Sequence, residues 1–247
     1  MSSRASSGAV AATFPATRWS LVLKLRGGGD HDCAEALESI CTTYWFPLYA
    51  FARRTGHSPH DAQDLTQEFF KLLLRKHWLS TADPRKGRLR AFLVTAFKRF
   101  MTKEWRRLSA QRRGRAQTHF SLDTEFAESH YAADISQQLD PDAMFDRQWA
   151  LRLLELTMDR LREEFSVSGK SAEFDVLKEL LTLPRDQIDY ASAAARLGIT
   201  PANARVCVHR LRKRFREIYR EEVSQTLPDG ESLDDEMSYL ARVLSGT

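Results

Sequence analysis

Cysteine is scarce in this chain of 247 residues: there are three, Cys33, Cys41 and Cys207, with no CxxC pair among them. An odd, widely spaced set excludes a disulfide framework and the spacing of a structural zinc site, and it suits a reducing, cytoplasmic setting. Long uncharged apolar runs are also missing, so no segment reads as a membrane span, and the Ser- and Ala-rich first sixteen residues read as a frayed terminus. Signatures of chemistry are absent too. The Gly27 to Gly29 run precedes no GK[ST] sequence, and no Ser-His-Asp or Cys-His arrangement stands out. His57 and His60, with Asp61 or Asp64, could be imagined as metal ligands, joined by His31 and Cys33. However, there is no HExxH, His57 precedes the helix start at Pro59, and no further ligands converge by spacing. The expectation is a protein with no catalytic residues, no metal and no cofactor, not an enzyme.

Strand-like alternation is lacking as well, and Gly and Pro fall between helical patterns rather than at hairpin turns. The chain therefore reads as all-α. Helices are expected at 17–25, 34–55 with a break near Pro47, 59–76, 88–107, 141–165, 171–182, 190–197, 201–222 and 232–244. The length allows two helical domains. The division expected is a first domain at 17–109, a flexible acidic linker at 110–140, a second domain at 141–226, and an acidic C-terminal helix or tail at 227–247. Charge supports the division. Residues 117–146 hold seven Asp or Glu and no Lys or Arg, whereas Arg85 to Arg115 holds twelve Lys or Arg and the single acid Glu104.

Tyr190 to Arg216, YASAAARLGITPANARVCVHRLRKRFR, reads as two helices around a Gly turn. Ala193, Ala194 and Leu197 give the first helix a small apolar face, Gly198 permits the turn, and Thr200-Pro201 supplies an N-cap followed by Pro at the first helical position. In the second helix Ala204, Cys207, Val208, Leu211 and Phe215 share one face. Thr200, Asn203, Arg205, Val206, His209, Arg210 and Lys213 are the candidates for contact with DNA in a major groove, with Arg216 on the same side.

Two upstream helices carry contrasting charge. Ser58-Pro59 opens SPHDAQDLTQEFFKLLL, in which Asp61, Asp64 and Glu68 form an acidic stripe beside Ala62, Leu65, Phe69 and Leu72, a surface suited to a basic protein partner. In RLRAFLVTAFKRFMTKEWRR, Leu89, Leu93, Ala96, Phe97 and Phe100 face inward, and Arg88, Phe92, Arg99, Lys103, Arg106 and Arg107 are the candidate nucleic-acid contacts. Such a run neutralises phosphates and releases counterions. Trp78, Phe92 and Trp105 either stack on unpaired bases or fill the core. The C-terminal helix, with Met237, Leu240, Ala241 and Leu244 in an apolar stripe, either packs on its own domain or covers the basic recognition surface.

In these segments and in this order the chain resembles bacterial RNA polymerase sigma factors of the extracytoplasmic-function (ECF) type of the sigma-70 superfamily. DAQDLTQEFFKLL looks like the polymerase-binding helix of region two, RAFLVTAFKRFMTKEWRR like its promoter-recognition helix, and the helix-turn-helix like region four; TRWSLVL and YWFPLYAFARRTGHSP are similar to a subgroup. Arg99 and Lys103 stand where many members carry an Asn and an Asp, and Ala204 where a larger aliphatic residue is usual. The resemblance implies a sigma factor that binds core RNA polymerase at its clamp and flap regions, with Asp61, Asp64 and Glu68 docking on the clamp. It further implies recognition of double-stranded and melted promoter DNA and promoter melting, with the basic helix at the minus-ten element and the helix-turn-helix at the minus-thirty-five element. An anti-sigma factor or a kinase is an eligible regulator, and no membrane partner is implied. The alternative is a helix-turn-helix regulator that acts without polymerase.

Overall fold

The computed structural model describes residues 30–75, 83, 87–111, 124–134, 139–228 and 230–246. Among them all regular structure is helical, in the order α1 (Asp30–Arg54), α2 (Pro59–Arg75), α3 (Leu89–Gln111), α4 (Thr124–Asp134), α5 (Pro141–Val167), α6 (Ser171–Leu177), α7 (Tyr190–Leu197), α8 (Pro201–Ser224) and α9 (Leu233–Ser245). The expected helix at 17–25 and the side chains of Trp78, Trp105, Cys33 and His31 lie outside the described residues. No helix among the described residues is long and apolar enough to cross a membrane.

Helix starts follow capping chemistry. Ser58 Oγ accepts from the Asp61 amide, Asp140 from Asp142 and Ala143, Asp189 from Ala191 and Ser192, Thr200 from Asn203, and Ser232 from Asp235. Pro141 and Pro201 occupy first helical positions, where their missing N–H costs nothing. The helix expected to run to residue 182 ends earlier: α6 stops at Leu177 and tightens into a 3-10 turn at Lys178–Leu180. Pro184, which disfavours helical geometry at Leu183, keeps the helix from resuming beyond that turn.

Two further expectations are revised. The helix does not break at Pro47; α1 runs through it. Tyr44, Leu48 and Tyr49 are fully buried on either side of the proline, and Arg152 of α5 donates to the Thr42 carbonyl at 3.1 Å, beside the carbonyl that Pro47 leaves without its helical donor. The stretch 110–140, expected to be a flexible acidic linker, contains α4. Ala127 and Tyr131, one helical turn apart, are buried against the bundle, Tyr49 Oη donates to Glu128, and Arg53 Nε lies 2.8 Å from Glu128 Oε1.

Two main apolar clusters organise the molecule. The first joins α1, α2, α3 and the start of α5 around Tyr44, Leu48, Phe69, Phe97 and Trp149; the second joins α6, α8 and the end of α5 around Leu161, Phe174, Leu177, Val208 and Ile218. The 27 residues of α5 span about 40 Å, long enough to place Leu153 in the first cluster and Leu161 in the second. Helix α8 does the same at its far end: Val208, Leu211 and Ile218 belong to the second cluster, Tyr219 and Val223 to the first. Helix α8 is thus anchored at its C-terminal half to the bundle that carries α3.

Candidate nucleic-acid interface

The turn between α7 and α8 is built as the sequence requires. Gly198 adopts φ 66°, and its amide bonds back to α7, closing the first helix. Ala193 and Ala194 are buried, small enough for α7 to lie close across α8, where Ala204 is fully buried opposite them. This packing turns one face of α8 inward and fixes the other outward. Asn203, Arg205, Val206, His209, Arg210 and Lys213 are all exposed, and so is the cap residue Thr200. Val206 is a large apolar side chain left 46% exposed among them, which suits contact with a thymine methyl rather than a phosphate. The Arg205 guanidinium lies 5.1 Å from the centre of the Tyr190 ring, so a cation–π contact limits its freedom before any ligand arrives. Lys213 is drawn toward Glu217 at 3.8 Å.

Behind that face, other arginines do structural work that the charge pattern did not separate from binding. Arg212 donates to the Leu180 and Leu183 carbonyls, tying α8 to the irregular segment before α7. Arg214 Nη2 sits 2.6 Å from Glu164 Oε1, and Arg160 Nη2 2.6 Å from Glu221 Oε2, which fasten α8 to α5.

On α3 the inward face is as expected: Leu89, Leu93, Phe97 and Phe100 are buried and Ala96 is half-buried. Arg99 and Lys103 are exposed and form no ion pair with a described residue; together with Lys98 and Thr102 they line a shallow basic groove. Lys98 Nζ also contacts Asp142 Oδ1 at 2.6 Å, at the start of α5. Phe92 packs against the first cluster and keeps part of its ring exposed. The side chains of Arg106 and Arg107 lie outside the described residues. Arg88 is engaged from within: Glu231 takes its Nε and Glu236 Oε2 lies 2.6 Å from its Nη1.

Arg90 is the residue that sequence reasoning missed. It is only 4% exposed, its Nη1 pairs with the fully buried Glu236, its Nε lies 3.0 Å from Asp146 Oδ1, and its guanidinium sits 4.6 Å over the Trp149 ring. Burial works against its charge, but Asp146 and Glu236 outweigh that and hold its pKa above the ordinary arginine value. A signal was available. Position 90 precedes Leu93 and Phe97 by three and seven residues, the spacing of the inward face.

The acidic stripe of α2 forms as predicted. Asp61, Asp64 and Glu68 are half-buried along one side of the helix, beside buried Ala62, Leu65 and Phe69. Asp64 Oδ2 lies 3.6 Å from His60 Nε2, and Glu68 Oε1 lies 2.8 Å from the Lys71 ammonium, so the stripe carries local contacts a partner would have to displace.

Burial, helped by Glu38, pushes the Cys41 thiol up to about 11, and burial raises Cys207 as well. Among the described residues no three His, Cys, Asp or Glu side chains are grouped to hold a metal ion. No curated protein and no solved structure matches the chain. Residues 45–111, which run from the middle of α1 through α2 and α3, match the family model Sigma-70 region 2, so over that segment the chain is similar to a region of the sigma-70 transcription factors.

Proposed function

We propose that this protein is a sigma factor of the extracytoplasmic-function type, acting in the cytoplasm, that brings core RNA polymerase to promoters and takes part in melting them. The observation that carries the reading is the Sigma-70 region 2 match over α2 and α3, in one chain with a helix-turn-helix whose second helix presents Arg205, Val206, His209 and Arg210 outward. In this reading 17–109 act as region two and 141–226 as region four. Asp61, Asp64 and Glu68 dock on the polymerase clamp, where a basic surface exchanges for His60 and Lys71. Arg99 and Lys103, with Arg88, Phe92, Arg106 and Arg107, hold the minus-ten element. Their contribution is largely phosphate neutralisation, since Arg and Lys on an exposed groove bind the backbone without reading sequence.

In α8, Thr200 and Asn203 sit at the helix N-terminus, where backbone amides and the helix dipole favour a phosphate. Arg205, Val206, His209 and Arg210 reach base edges of the minus-thirty-five element, and Lys213 takes the backbone. Two weak DNA contacts on one polymerase reinforce each other through effective concentration.

Reconstitution with core polymerase, followed by sequencing of transcripts that start only when this protein is present, tests the reading directly. Asp61→Lys with Glu68→Lys is expected to abolish capture of polymerase in a pull-down while DNA binding by the chain persists. Unchanged capture would overturn the docking assignment and leave a helix-turn-helix regulator that acts without polymerase.

A further inference from the structure

Helix α9 touches both candidate DNA-binding helices. Its apolar side buries Leu240 and packs Leu233, Met237 and Leu244 on the first cluster, next to Tyr219 and Val223 of α8. Its acidic side reaches three other elements. Glu231, just before it, and Glu236 hold Arg88, just before α3, and Arg90 of α3; Asp234 Oδ1 lies 2.8 Å from Arg220 Nη1 of α8; Tyr239 donates to Asp146 of α5. At its far end Arg147 of α5 donates to the Leu244 carbonyl at 2.6 Å. Thirteen residues thus fix α3, α5 and α8 relative to one another.

The chemistry of this bridge is unlike that of a core. A buried carboxylate between two arginines stabilises a fold little better than an apolar group of the same shape, because desolvation offsets the attraction. An ionic bridge has one property an apolar one lacks: a competing anion can exchange into it. Arg88 keeps 30% of its side chain exposed while Glu231 and Glu236 hold it, so the ionic bridge reaches the surface at this residue.

We propose that α9 is an autoinhibitory clasp: its carboxylates stand in for promoter phosphates at the start of α3, and by bridging to α8 it holds the two DNA-binding helices in one fixed relation until DNA displaces it. The assignment rests on the role of α3 in DNA binding proposed above. The acidic helix does not cover the recognition face of α8, whose contacts stay exposed; it acts on the other arm.

The test uses the full chain and a labelled DNA duplex with an internal melted bubble, read by fluorescence anisotropy. Glu231→Gln with Asp234→Asn neutralises two exposed acids without opening the core, and Glu236→Gln keeps the buried shape; circular dichroism and melting curves verify folding. Both variants are expected to bind several-fold more tightly than the parent, with a salt slope steeper by about one phosphate contact. Asp159→Asn with Glu163→Gln, which removes the same charge from the surface of α5, is expected to give no comparable gain. In an Arg88→Ala background the gain from Glu231→Gln is expected to vanish. Equal affinity in parent and clasp variants, an equal gain in the control, or a gain that survives Arg88→Ala would each overturn the clasp. Polymerase capture by the parent is scored separately: capture without a gain discards the clasp alone, whereas a gain without capture discards the sigma-factor reading and leaves the competition between α9 and DNA standing.

Discussion

Along α8, Arg205, His209, Arg210 and Lys213 point to solvent, whereas at the start of α3 Arg88 and Arg90 turn into a network with Glu231, Glu236 and Asp146. Both segments are basic in sequence. What separates them is the number of sides on which each is covered. Helix α8 is packed through Ala204, Val208 and Leu211 and left open opposite, but α3 is packed through Leu93 and Phe97 and then covered again at its first turn by α9. A basic run therefore says how much positive charge a helix carries, and the tertiary neighbours decide how much of it a polyanion meets.

The largest effect expected from breaking this contrast lies at Arg90. Replacing it by Met leaves Glu236 buried with one partner fewer, a change of the kind that costs about 3–5 kcal/mol when a buried charge loses its mate. Chemical denaturation should show that loss, and the double variant Arg90→Met with Glu236→Leu should recover most of it, since apolar replacement of a whole buried pair is near neutral. Failure of the second change to rescue the first would mean that Trp149 and Asp146, rather than Glu236, hold Arg90 in place.

On the open side the expected losses are in binding. Arg205→Ala should cost about 1–3 kcal/mol of duplex affinity and relax preference at one base pair, as for a lost base-edge contact. Lys213→Ala should weaken all sequences alike and lower the salt slope by about one. Titrations against a site and a scrambled duplex separate the two; identical profiles would remove the distinction between reader and anchor. Between them in size comes the turn that aims α8. Gly198 has φ +66° with nothing within 4 Å of an added Cβ, so Gly198→Ala meets backbone strain alone, about 1–2 kcal/mol. Melting curves would register it, and no change would show that the αL geometry at the turn is not required.

Legibility in the sequence followed the same line. Helices α7 and α8 could be placed because cap, proline and glycine are local signals: Thr200-Pro201 and Gly198 act within a few residues of themselves. The outward face of α8 was readable for a related reason, since a single apolar stripe fixes its opposite. Helix α4 was not readable, because Ala127 and Tyr131 are a thin apolar signal in an acidic stretch and the helix depends on Arg53 and Tyr49 far away in sequence. Arg90 and Glu236, 146 residues apart, could be recognised as inward positions but not as partners. Periodicity carries a direction, and only tertiary contact says what lies there.

The smallest expected effect asks whether the two apolar clusters melt as one. Glu128 fastens α4 to α1 beside the first cluster, and Glu164 fastens α5 to α8 beside the second. Burial raises the Glu128 pKa, but hydrogen bonds from Arg53 and Tyr49 outweigh it and hold the carboxyl below its ordinary value; at Glu164 the Arg214 hydrogen bond does the same. A carboxylate whose pKa is lowered by folding contributes stability above its unfolded pKa and loses it as pH falls through the folded one. The melting temperature should therefore hold from neutral pH to about 5 and drop below about 4, where unfolded carboxyls titrate. Glu128→Gln and Glu164→Gln should each remove part of that acid sensitivity, by about 0.2–1 kcal/mol for such solvent-screened pairs. Because α5 and α8 run through both clusters, the two substitutions are expected to shift one shared transition. Two transitions, each moved by only one of them, would show that the clusters are separate folding units.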